Sequence, residues 1–436
     1  MRILTRLSTL PLAPSLVRLP GLQPPAVQQL TNGSEVVSLH LPSAPVVCLE
    51  LWCRAGSLFE GSAESGMAHF LEHMVFKGSR QLQPGEFDWR IEALGGSSNA
   101  ATGFDDVHYQ VLIPPEAAAV AAGLLVDLVL TPRLEASAFE MERQVVLEEL
   151  AQSEDQPEEV ALQHLLRRGC DGHPYGQAIL GRREQLLSHS PDAMAAFHRR
   201  LYGSQSCSLT MCGALDPNSA STEELQRAVA ESALSRLEPS GPRTTFPPLT
   251  IRPGRHRVSI PRLESTRLMM LWAFPPASDL PGVIGGDLLT SLLAEGRRSR
   301  LVDRLREQLR IVESIDLDLH VMECGSLALL EVIAEEEQLP AIHRAIGHEL
   351  ERLQQEPIPS ADWQRTQRLV ANAYRFSLES ASGVASTLGN NHLWQRPLSL
   401  EAPLQALEQW TSESLQRHCL QQLSLDAACV LEAVPA

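Results

Sequence analysis

The sequence predicts an α+β protein built of two similar α/β-sandwich-type domains that close as a clamp around a cleft. Three observations predict it. Short β-type runs alternate with helical runs along the chain. A stretch dense in proline and glycine, "RLEPSGPRTTFPPLTIRPGR", interrupts the pattern. The order of elements before that stretch then recurs after it. At 436 residues the chain is also too long for one ordinary domain. The expected layout is an N-terminal extension over 1–27, a first domain over 28–235, a linker over 236–255 and a second domain over 256–436.

The first 27 residues carry three arginines and no acid, and Pro11 and Pro14 interrupt the apolar run that a signal peptide requires. An uncleaved, cytoplasmic N-terminus is the expectation, with an organelle transit peptide as the alternative. "EVVSLHLP" and "APVVCLELWCRAGS" read as two strands joined by a short turn. Residues 65–77 read as a helix stopped by Gly78, and "GEFDWRIEALGG" as a second stopped by its glycine pair. "SSNAATGFDDVHYQVLIP" returns to strands. Helices follow in "PEAAAVAAGLLVDLVL", over 137–151 and over 158–168, then the turn-rich "GCDGHPYGQAILG" and a buried strand in "SCSLTMCGAL".

After the linker, "HRVSIPRLESTRLMMLWAFPPAS" repeats the two-strand layout and "GVIGGDLLTSLLAEGRRSRL" supplies a helix at the place of 65–77. "RLVANAYRFSLESASGVASTLGNNHLW" reads as one C-terminal helix with Tyr374 on its core face.

Composition narrows the function. An apolar share of 44% with no long apolar run predicts no membrane span. A net charge of −17 argues against nucleic acid and is compatible with basic or unstructured peptides. The eight cysteines include no C-x-x-C pair and read as reduced core thiols. Lys77, the one lysine of the chain, reads as compositional bias without a role. His108, His164, His173 and His198 read as structural or exposed, and the adjacent Asp105 and Asp106 as a solvated turn rather than a cation site.

The chemistry concentrates in "HFLEH", residues 69–73. At about 100° per residue, His69, Glu72 and His73 share a stripe with Phe76, while Met67, Phe70, Leu71, Met74 and Val75 take the opposite side. Such a motif arises by chance in roughly one chain in twenty of this composition, so it needs support from elsewhere. A hydrolytic zinc site takes three protein ligands and an open position. In "FEMERQVVLEEL", Glu142 and Glu149 lie two turns apart on one helix face, and periodicity alone does not exclude the neighbouring Glu148. The second half has no such set.

"HFLEHMVFKG" followed by "ERQVVLEE" resembles the M16, or pitrilysin-type, metallopeptidases, whose motif is the inverted H-x-x-E-H. "GGSSNAATG", "HPYGQAILG" and the duplicated layout extend the resemblance over the chain, and it is nearest to the small processing-peptidase members. The resemblance implies a zinc endopeptidase acting on unstructured peptides. It implies His69, His73 and Glu149, rather than Glu148, as ligands of Zn²⁺, with Glu72 as general base and Glu142 orienting a ligand. Asn99 and Ala100 match the family's substrate-holding edge, where a peptide adds as an extra strand. The first domain is then the zinc-bearing one and the second an inactive homologue. The family also carries an Arg and a Tyr in the second domain that reach the substrate carbonyl. Arg306 stands at the first place, but Glu313 stands at the second. The resemblance therefore implies a dimer, either a homodimer or a heterodimer whose other subunit carries the Arg/Tyr pair. The competing function is a non-catalytic, peptide-binding scaffold subunit. Family members of that kind lack the zinc residues, which are all present here.

Overall fold

The computed structural model describes residue 19 and residues 23–241 and 243–436. Most of the expected extension lies outside these described residues. Its last two positions already belong to a strand, β1 (Ala26–Gln29). With it, β2 (Glu35–His40), β3 (Val47–Cys53), β4 (Ser97–Thr102), β5 (Val107–Ile113) and β6 (Cys207–Gly213) form a six-stranded sheet in the order β1-β2-β6-β3-β5-β4. The second sheet holds β7 (Gly254–Ile260), β8 (Thr266–Phe274), β9 (Ser314–His320), β10 (Ser326–Ala334) and β11 (Cys429–Pro435) in the order β7-β11-β8-β10-β9. Apart from β1, the two sheets match strand for strand, each with one parallel pair, β2–β6 or β7–β11. The duplication is thus one of topology. Its second copy closes with β11, a strand contributed from the far end of the chain.

Between β3 and β4 stand α1 (Met67–Val75) and α2 (Glu86–Ala93). Between β5 and β6 run α3 (Ala118–Leu130), α4 (Ala136–Glu154), α5 (Pro157–Gly169), α6 (Arg183–Ser188) and α7 (Pro191–Leu201), with α8 (Ala220–Glu231) after β6. In the second half α9 (Leu280–Ala294) takes the place of α1. Then come α10 (Leu339–Gln355), α11 (Ser360–Ser377), α12 (Ala381–Leu393), α13 (Ala402–Glu408) and α14 (Ser412–His418). The single helix expected over 368–394 is in fact α11 and α12. Ser380 separates them, because its hydroxyl accepts the Gly383 N–H and starts a new helix. Tyr374 donates to the Leu400 carbonyl and packs on the second core.

Strand alternation decides which face meets what. Val107, Tyr109, Val111 and Ile113 of β5 turn inward onto α1 and α3, while β3 and β6 are buried on both faces. The other face of the first sheet is covered from the second half. Val37, Leu39, Cys48 and Cys212 meet Val384, Ala385 and Leu388 of α12. Reciprocally, α5 lies against β11, β7 and β8 of the second sheet. Each half therefore covers the other's sheet.

α12 approaches closely because residue 389 is glycine; a Cβ there would run into the Trp52 indole. Beside it Glu50 is wholly buried and accepts from Trp52 Nε1 (3.0 Å), from Ser386 Oγ of α12 (2.8 Å) and from Gln110. Burying a carboxylate is tolerated only with such partners.

Asp105 overturns the solvated-turn reading. It is buried, accepting from the Tyr175 hydroxyl (2.6 Å) and from the Glu323 N–H of the second half (2.6 Å). Burial pushes its pKa up to about 6, against the pull of those two hydrogen bonds. A chain turn can face solvent only if nothing packs over it, and here the second half does. The eight cysteines are unpaired, and all but Cys324 are buried.

Candidate metal centre

α1 opens at Gly66, in the left-handed region (φ +83°), where a Cβ would lie 2.7 Å from the Leu180 carbonyl. A glycine there leaves the helix without its own side-chain cap. Glu60 supplies one from outside, its carboxylate accepting the N–H groups of Gly66 (2.9 Å) and Ala68 (2.8 Å). Burial pushes Glu60 up to about 8 despite those bonds.

The apolar side of α1 buries Met67, Phe70, Leu71, Met74 and Val75. Phe70 packs on Phe139 of α4 with ring centroids 4.5 Å apart, which sets the two helices face to face. Arg143 fixes α4 in turn by donating to the carbonyls of Leu186 and Leu187 (2.7 Å each) and His189 (2.9 Å) at the end of α6.

This packing brings together His69, His73 and Glu149, whose ligand atoms all lie within 4.8 Å of one another; it is the one such group among the described residues. Glu149 Oε2 stands 3.6 Å from His69 Nε2 and 3.3 Å from His73 Nε2. Ligand atoms held about 2.1 Å from a common zinc at tetrahedral angles stand about 3.4 Å apart, so the spacing suits that ion.

Tautomers agree. His73 Nδ1 meets Glu142 Oε1 at 3.0 Å, and a carboxylate there places the proton on Nδ1. Nε2 is then a bare acceptor aimed at the Glu149 carboxylate, an arrangement that calls for a cation between them. Burial, and secondarily His73, pushes His69 down to about 4, so that its ring is neutral and ligand-ready at neutral pH.

Glu148 is exposed and stands outside the group. Glu142 is 6% exposed and its other oxygen takes the ammonium of Lys77 at 2.7 Å. Lys77, read from composition as meaningless, is therefore part of the site's support.

Glu72, between the two histidines, accepts from the Thr102 hydroxyl of β4. Burial raises its pKa, against the opposing pull of Thr102 and His73. Asn99 and Ala100 lie on β4, opposite Gln110 and Tyr109 of β5, and β4 ends its sheet with one backbone edge uncovered by any strand among the described residues.

Arg306 is not brought in. It lies in a π-helical turn (Val302–Gln308), its Nε donates to Glu307 at 3.1 Å, and it makes no hydrogen bond or ion pair with the His69 group. Glu313 stands just before β9, its N–H on the Ile333 carbonyl. Of the remaining histidines, His173 and His198 bond the carbonyls of Pro247 and Val129, His164 meets Arg168, and His108 stacks on Trp52 beside Asp106.

Thr102, Glu60 and Lys77 were missed by sequence reasoning. Thr102 alone had a signal, since alternation places it on the same strand face as Ala100.

The comparisons decide the family. The model for insulinase, peptidase family M16, matches residues 35–183, and that for the peptidase M16 inactive domain matches 188–370. The chain belongs to the M16 peptidase family. An uncharacterized zinc protease of Rickettsia bellii is 24% identical over 367 residues, covering 84% of this chain and 87% of that protein. The mitochondrial-processing peptidase subunit beta of Lentinula edodes is 32% identical over 193 residues, 44% of this chain and 41% of that one. In fold, a protease from Helicobacter pylori superposes with a TM-score of 0.85 at 22% identity, covering 95% of this chain and all of the other. The M16 fold, in two copies, is thus the scaffold that presses α1 against α4. Family membership also makes zinc the metal against which the donor set above is judged.

Proposed function

We propose that the chain is a zinc endopeptidase cleaving extended, unstructured peptides, with His69, His73 and Glu149 holding the ion. The observation that carries this is the convergence of two imidazole nitrogens and one carboxylate oxygen at ligand spacing, with a further carboxylate, Glu72, between the histidines. Zinc held by these three residues would supply a water of pKa about 7 and polarise the scissile carbonyl. Glu72 would take the proton of that water on its carboxylate and later deliver one to the leaving amine. Thr102 keeps that carboxylate on station. Glu142 holds His73 in the tautomer that offers Nε2, and Lys77 holds Glu142. The open edge of β4, at Asn99 and Ala100, carries the peptide by main-chain hydrogen bonds.

The test compares wild type with Glu72→Gln on a quenched fluorogenic peptide of mixed sequence. Cleavage by wild type, and a loss of at least about a hundredfold in a variant that still holds zinc, is the expected result. Equal rates overturn the reading.

We further infer that the chain works as the zinc-bearing member of a heterodimer. Glu313 stands where the family's tyrosine belongs, and a carboxylate opposes the negative charge that develops on the carbonyl oxygen. A subunit beta among the relatives favours the same view. Weak cleavage alone, raised by a paralogue carrying the Arg/Tyr pair, is expected. Full activity of a purified homodimer contradicts it.

A further inference from the structure

β3 and β6 run antiparallel and set two cysteine pairs directly opposite each other, Cys48 with Cys212 and Cys53 with Cys207. The two pairs are not equivalent. Arg54 donates its N–H to the Ser206 carbonyl (2.9 Å) one step beyond the second pair, and Ala214 donates to the Val46 carbonyl (3.0 Å) two steps beyond the first. Hydrogen-bonded and non-bonded pairs alternate along an antiparallel ladder, so Cys48–Cys212 is a bonded pair and Cys53–Cys207 a non-bonded one. Cα atoms stand about 5.5 Å apart in the first kind and about 4.5 Å in the second, where side chains come closer. The sulfurs follow suit. The Cys207 thiol donates to Cys53 Sγ at 3.4 Å, whereas Cys48 Sγ turns to the Glu50 carboxylate at 3.9 Å.

Access differs as well. Cys48 and Cys212 are wholly buried in the cluster that α12 covers. Cys207 lines a cavity of about 760 Å³, walled also by Ser208, Ser240 and Thr244, with ample room for a molecule little larger than water, which takes up about 30 Å³. Cys53 lies behind it. Burial, and after it the neighbouring Cys207, pushes the Cys53 thiol well up. Cys207 is therefore the sulfur that meets a small oxidant first, and Cys53 the one that answers it. The chain between the two, residues 54–206, carries α1 and α4 and with them His69, His73 and Glu149.

We propose that Cys53 and Cys207 form a reversible disulfide when hydrogen peroxide reaches the cavity, tying together the ends of the segment that carries the metal centre. The Cys207 thiolate attacks one peroxide oxygen, the O–O bond breaks, and Cys207 becomes a sulfenic acid while the other oxygen leaves as water. The Cys53 sulfur, giving up its proton, then attacks the Cys207 sulfur. The S–O bond breaks and the hydroxyl leaves with that proton as a second water. Two thiols and one peroxide thus become one disulfide and two waters, and a dithiol reverses the change. The sulfurs have to close to about 2.05 Å, which side-chain rotation supplies at the Cα separation of a non-bonded pair. Closing so long a loop restricts the unfolded chain and so raises stability. In the test, the full chain is treated with hydrogen peroxide, its remaining thiols are alkylated under denaturing conditions, and its peptides are mapped by mass spectrometry. The expected product links Cys53 to Cys207 and leaves Cys48 and Cys212 alkylated, and dithiothreitol restores all four thiols. Oxidation also shifts the urea midpoint of wild type upward, but not that of Cys207→Ser or Cys53→Ala. A Cys48–Cys212 link, alkylation of both Cys53 and Cys207 after peroxide, or Cys207 carried on to the sulfinic acid overturns the proposal. So does an unchanged midpoint in the linked protein.

Discussion

Removing the Glu142 carboxylate tests the support of the metal centre most sharply. Its two oxygens contact His73 Nδ1 at 3.0 Å and Lys77 Nζ at 2.7 Å, and it is almost wholly enclosed. In Glu142→Ala the His73 ring loses the acceptor that fixes its tautomer and rotation, so Nε2 faces Glu149 only part of the time. Loss of such a partner weakens metal binding by about 10–100-fold, or about 1.4–2.7 kcal/mol. Lys77 is about one-third exposed and turns to solvent, so it adds little further cost. Lys77→Met leaves the hydrogen bond to His73 intact and weakens zinc less than Glu142→Ala does. A competition titration against a chromophoric chelator at fixed pH measures both. Wild-type zinc affinity in Glu142→Ala, or a larger loss in Lys77→Met, would refute the reasoning.

Four further outcomes follow from the same structure. Thr102→Val frees the Glu72 carboxylate and lowers kcat about tenfold or more with KM little changed, as read by steady-state kinetics. Glu60→Ala removes the external cap of α1 and costs about 1–2 kcal/mol in urea unfolding. Because burial raises the Glu60 pKa to about 8, its contribution to stability is fullest below its ordinary carboxylate pKa and is lost as pH rises through about 8; Glu60→Gln flattens that decline. Gly389→Ala forces α12 off Trp52 and destabilises by about 1–3 kcal/mol, seen as a lowered Tm.

Much of this was legible because helical and strand periods show which residues share a face. His69, Glu72 and His73 fall on one stripe by spacing alone, and the apolar residues expected opposite them are buried. Periodicity does not say which element a face will meet. The choice of Glu149 over Glu148 came from family resemblance, and packing supplies its physical reason: α4 turns Glu149 towards α1 and Glu148 to solvent. Glu60, Thr102 and Lys77 act across contacts between separate elements, which no local pattern records. Asp105 was misread because its partners, Tyr175 and Glu323, lie far along the chain. Likewise, the helical pattern of α12 announced a helix but not that it would cover the other half's sheet.

The central claim is that His69, His73 and Glu149, and not Glu148, hold a zinc ion. Zinc content of natively purified protein, measured by elemental mass spectrometry beside Glu149→Gln and Glu148→Gln, tests it most directly. The account predicts one zinc per chain in wild type and in Glu148→Gln, and its loss in Glu149→Gln with the fold retained. Zinc kept by Glu149→Gln, or lost from Glu148→Gln, would contradict it.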